Sequence, residues 1–225
     1  MRILAVLAWL ATCIAQTKLD TRSFNTLGSG RFEILADGIM ISVGGREFRV
    51  GESQLPLNAS DCTAPRATRK CVQYWDGIAW DEPRGVFYLA AATDTGQNKP
   101  WIIFEYDLRS LEIRRIGDEE GGGFSNGAVS PSGRYLAYIG YDVCGVCCTT
   151  SRLVVLDTQT REAGTFNLPP ANRSEILRIV GIRWTGVSTI QYEAQTLNET
   201  ACRDGKGAQG SLTGSVKLAQ ILKGR

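Results

Sequence analysis

The sequence predicts an all-β fold built from repeated antiparallel units and held by disulfides. Three observations predict it. Short apolar runs alternate with turn signals, and the 225 residues include 25 glycines. The order strand, tight turn, apolar strand, loop, apolar strand recurs about every 50 residues. Six of the seven cysteines lie beyond the first thirteen residues, an even number.

Residues 1–15 read as a signal peptide. Arg2 supplies the positive end, Ile3 to Leu10 the apolar run, and Cys13 and Ala15 the small residues of a cleavage site. That run is too short to cross a hydrocarbon core, which takes about 20 residues, and no later stretch is long enough. Leu10-Ala-Thr-Cys13 also resembles a bacterial lipobox, from which Thr12 departs. A secreted or periplasmic protein is therefore the first expectation, and a lipoprotein anchored through Cys13 the second. Residues 16–30 read as a flexible leader, and 31–225 as a single domain. The 43% apolar content suffices for one core.

The elements follow in order. Phe32–Leu35, Ile39–Val43 and Glu47–Val50 read as strands. Asp37-Gly38 and Gly44-Gly45 join them as hairpins, because such turns need positive φ, which glycine adopts cheaply. Residues 51–69 read as an irregular loop, with Cys62 and Cys71 placed to pin it. Three similar units then start at Ile78, Ala128 and Gly181. Their central strands, Val86–Ala92 and Tyr135–Tyr141, are nearly continuous apolar runs, as expected of strands covered on both faces. Leu111–Ile116 is charged and alternating, which suits an outer edge. Val216–Leu222 reads as the last strand, and Ser174–Val180 as at most one helical turn.

Ser130-Pro-Ser-Gly-Arg-Tyr-Leu-Ala-Tyr-Ile, followed by Arg152-Leu-Val-Val-Leu-Asp-Thr, resembles the repeat of TolB-type and WD40-like β-propellers. Ser132 stands where that repeat usually has aspartate. Trp80-Asp-Glu-Pro-Arg-Gly and Trp184-Thr-Gly are weaker echoes. The resemblance covers residues 78–222 and leaves the first strands as a reduced fourth blade. It implies a small or partial β-propeller-like arrangement of antiparallel four-stranded units, since propellers carry about 4–8 such blades. It also implies a scaffold for binding, with the chemistry left to the site.

In such an arrangement, the loops into each first strand and those between second and third strands share one face. These are residues 63–77, 117–127, 93–100, 142–151 and 195–215, and all six later cysteines fall in or beside them. Functional residues concentrate on loops fixed by a rigid scaffold, so this face is the candidate binding face.

The absence of histidine removes Ser-His-Asp and Cys-His mechanisms and His-ligated metals. A net charge of +2 with scattered charges gives no case for nucleic acid. Cys144, Cys147 and Cys148 read as a metal or redox site or as disulfide partners, and the even count favours disulfides. Cys62 with Cys71 is the natural local pair, and Cys202 is expected to join the 144–148 cluster. Asp118, Glu119 and Glu120, before three glycines, read as a calcium or acid/base site or as a solvated connection. Tyr74 and Trp75 could stack on a sugar or peptide or plug the core. No catalytic residue, metal or cofactor is expected. The expected function is a binding module for a protein, peptide or glycan. A carboxylate-dependent hydrolase and a cysteine-based metal-binding protein are the alternatives.

Overall fold

The computed structural model describes residues 25–27, 29–62, 70–94, 99–143, 149–168, 175–198 and 210–222. The signal-peptide, lipobox and Cys144, Cys147, Cys148 and Cys202 readings fall outside them.

Among the described residues, fifteen strands form four antiparallel sheets in simple sequence order, a propeller-like arrangement of four blades. Blade 1 holds β1 (Asn25–Leu27), β2 (Gly30–Leu35), β3 (Gly38–Val43) and β4 (Arg46–Gly51). Blade 2 holds β5 (Tyr74–Asp81), β6 (Val86–Ala92), β7 (Lys99–Asp107) and β8 (Glu112–Gly121). Blade 3 holds β9 (Gly123–Val129), β10 (Tyr135–Val143), β11 (Thr149–Asp157) and β12 (Ala163–Phe166). Blade 4 has three strands, β13 (Glu175–Trp184), β14 (Thr189–Asn198) and β15 (Gly210–Lys217). A short helix, α1 (Leu218–Leu222), follows.

Every strand pairs with its sequence neighbour, so each blade is a meander. The blades stack along their first strands, with β5 against β9 and β9 against β13. Three apolar seams hold them. Phe32, Ile39 and Ile41 of blade 1 meet Phe87, Leu89 and Phe104 of blade 2. Tyr88, Trp101 and Ile103 of blade 2 meet Phe124, Leu136 and Tyr138 of blade 3. Ala137, Ile139 and Val155 of blade 3 meet Ile179, Ile190 and Val216 of blade 4. Alternate residues of β6 and β10 thus enter opposite seams, which is why both runs are apolar throughout. Among the described residues, each of the two end blades packs one face into a seam. On β14, Ile190 and Ala194 are buried while Gln191, Glu193 and Gln195 face away from the seam.

The seams are tight where β5 crosses β9. A Cβ at Gly127 would lie 2.1 Å from the Ile78 carbonyl oxygen, so only glycine fits without moving backbone. Gly127→Ala is expected to lower stability by about 1–3 kcal/mol, as overpacking does. Urea unfolding would show it, and an unchanged midpoint would mean that the two strands part freely.

Three sequence readings are corrected. The stretch 117–127 is not a loop: β8 runs to Gly121, β9 starts at Gly123, and Gly122 alone joins them. Asp118, Glu119 and Glu120 are strand residues, tolerated because Asp118 and Glu119 meet arginines. Residues 175–180 are strand, since Ile179 must reach the last seam. The end of the chain is strand only to Lys217. Leu218 and Ile221, spaced i and i+3, then bury one side of α1 against β11 and β12. β1 also draws its residues from the stretch read as a leader.

The loop-rich face as candidate binding site

Antiparallel meanders place successive connections at alternate ends. One end carries the short turns 44–45, 82–85, 108–111, 130–134, 158–162 and 185–188. Asp81 and Asp157 anchor two of them, with Asp81 accepting from Arg84 and Asp157 from Arg134 at 2.9 Å. The other end carries the segment from blade 1 to blade 2, residues 52–73, and the remaining connections.

Glu52, Ser53, Leu55, Leu57, Cys62, Lys70, Cys71 and Val72 of this segment line a cleft of about 540 Å³ at the seam between blades 1 and 2. Trp75, Leu55, Leu57 and Val72 give it apolar walls, and Asp37, Ser53 and Lys70 a polar rim. Glu52 organises the wall. Its carboxylate accepts the backbone N–H groups of Cys71 (3.1 and 3.0 Å) and Val72 (3.0 Å). The Cys62–Cys71 disulfide closes the same loop. Arg115 of β8 donates to Asp61 at 2.9 Å and ties the loop to blade 2. Asp37 is held by Arg49 at 2.7 Å, and the Lys70 ammonium donates to the Ala36 carbonyl at 3.0 Å.

Tyr74 and Trp75 are the first residues of β5 rather than loop residues, and they point to opposite faces. Trp75 is buried in the first seam and forms the cleft wall. Tyr74 is 42% exposed. The Lys99 ammonium lies 3.8 Å from its ring centroid and 5.3 Å from that of Trp101. Partial burial there lowers the Lys99 pKa.

The acidic run sits elsewhere on the same face, at the seam between blades 2 and 3. Arg152 of β11 donates to Glu119 at 2.5 Å, and also to Asp142 and to the Glu120 carbonyl. The Tyr138 hydroxyl donates to the other Glu119 oxygen at 3.1 Å. Asp118 instead receives Arg115 at 2.7 Å, and the Glu120 side chain is exposed. The three residues therefore do not converge. Among the described residues, no group of three or more acidic or cysteine side chains is placed to hold a metal.

Sequence reasoning missed Asp76, the neighbour of Trp75. Its carboxylate accepts from the Gly77 N–H at 2.8 Å and from the Phe124 N–H across the seam. Burial pushes its pKa up to about 6, against which those two hydrogen bonds act. No spacing rule would have singled it out, because its enclosure comes from the neighbouring blade.

No helix among the described residues is long and apolar enough to cross a membrane. No family model matches the chain, and neither does any curated protein. Solved structures do match. A chain of a nidogen/laminin complex aligns at 10% identity and TM-score 0.45, over 82% of this chain and 59% of its own. Kuenenia stuttgartiensis hydrazine synthase aligns at 10% identity and TM-score 0.42, over 87% and 55%. A Pyrococcus horikoshii acylaminoacyl peptidase aligns at 10% identity and TM-score 0.36, over 65% and 25%. The chain thus spans little more than half the length of the first two.

Proposed function

We propose that the protein is an exported binding module of the TolB-type or WD40-like kind. In this reading its loop-rich face takes an extended peptide segment in the cleft between blades 1 and 2. The observation that carries the reading is the cleft itself. Its apolar walls suit a peptide side chain, and its polar rim suits the flanking backbone. The Cys62–Cys71 disulfide and the Glu52 carboxylate hold the lining residues Cys62, Cys71 and Val72 in place, which reduces the ordering that binding must oppose there. The carboxylate-hydrolase reading is less well supported, since Asp118 and Glu119 are each engaged by an arginine.

Ser53 is exposed on the rim, and Ser53→Trp would fill the mouth without touching the core. A displayed library of random peptides should yield binders to the wild type. Their affinity should fall at least about tenfold on Ser53→Trp, the loss of roughly one good contact. No enrichment, or equal binding to both proteins, would sink the peptide reading. Signals on a glycan array that vanish in Ser53→Trp would replace it with a glycan. Export has its own check: the mature mass should begin at Gln16.

A further inference from the structure

Among the described residues, no element covers the outer face of blade 4, and that face carries a second cavity. It measures about 290 Å³ and is lined in part by Gly181, Arg183, Gln191, Tyr192, Glu193 and Thr213. A register shift between Ile179 and Gly181 makes the dent, and the glycine keeps it open. The atoms nearest to a Cβ at Gly181 would be those of Glu193, at 3.8 Å.

The charges on its wall are arranged in an unusual way. Glu193 lies opposite Gly181 on one side and Thr213 on the other. Arg183 lies opposite Gln191, two residues along the same face. Gln191 holds Arg183, accepting from its Nε at 2.8 Å. Arg183 and Glu193 form no ion pair with each other, and Glu193 has no hydrogen bond or ion pair among the described residues. Diagonal neighbours on a sheet lie about 7–8 Å apart, within reach of long side chains. A fixed cation and an anion therefore share one cavity with a gap between them. The amide of Gln191 and the hydroxyl of Thr213 border that gap.

We propose that this cavity binds a small zwitterion of the amino-acid or dipeptide type. The ligand's carboxylate pairs with the terminal nitrogens of Arg183, and its ammonium with Glu193. Its backbone lies over Gly181, where any larger residue would fill the space. Such a ligand satisfies both charges at once, whereas an anion or a cation alone leaves one of them unmatched. The site is separate from the cleft between blades 1 and 2, and neither proposal depends on the other.

Glycylglycine titrated into the labelled protein tests it. The amide resonances of Gly181 and Thr213 should shift saturably. Arg183→Gln and Glu193→Gln should each weaken binding about tenfold or more, the effect of losing one charge-assisted hydrogen bond. Both side chains are exposed, so both variants should keep the wild-type spectrum elsewhere. N-acetyl-glycylglycine and glycylglycine amide should bind worse by a similar factor. No saturable shift, or equal binding by the blocked peptides, would overturn the proposal. So would affinity that neither substitution changes.

Discussion

Arg152→Met should cost about 3–5 kcal/mol of stability, the largest single effect we expect at a polar residue. The Arg152 and Glu119 side chains are only 15% and 13% exposed, so their partnership is largely hidden from water. Removing the cation strands Glu119 beside the Tyr138 hydroxyl at the seam. Burial and the Glu119 charge raise the pKa of that hydroxyl, so it stays a neutral donor and supplies no charge to replace the cation. Adding Glu119→Gln should recover at least half of the loss, because the only carboxylate then left without its cation is Asp142, which is 43% exposed and solvated. Denaturant unfolding of the four proteins would measure this. A loss below about 1 kcal/mol in Arg152→Met, or no recovery in the double variant, would mean that water reaches the pair and screens it.

Asp76 should make the protein less stable as pH rises from about 4 to 7. The carboxyl titrates near 3.8 when unfolded and at about 6 when folded. Between those values the folded state holds the proton that the unfolded state has released. Stability therefore falls with rising pH in that window, and the fall ends just above pH 6. About two pKa units correspond to about 3 kcal/mol. Asp76→Asn removes the titration, so its unfolding midpoint should vary much less across the window. Midpoints measured at several pH values on both proteins decide the matter. Parallel pH profiles would place the titration on another group.

The sequence made the repeat visible because apolar runs such as Val86–Ala92 are long and the turns between them carry glycine or proline. The cysteine pair at 62 and 71 was legible from proximity alone. The alternation Ile190, Gln191, Tyr192, Glu193, Ala194, Gln195 already marked a sheet with one uncovered face, and so the end of the row of blades. The charge of Asp118–Glu120 argued for a loop because the neutralising arginines come from elsewhere: Arg115 is close in sequence, but Arg152 arrives from the next blade. Asp76, the pairing of Tyr74 with Lys99, and the gap between Arg183 and Glu193 all depend on which strand lies beside which. Pattern along a single chain does not carry that information.

The strictly sequential pairing of strands bears on how the protein comes into being. Each blade can close as soon as its own strands exist, and each seam as soon as the next blade arrives. Among the described residues, no seam joins blade 1 to blade 4. Assembly can therefore proceed vectorially, from the first blade to the last, while the chain is still emerging. Among the described strands, none has to wait for the final one before it can pair, which shortens the time during which unpaired edges could meet other chains.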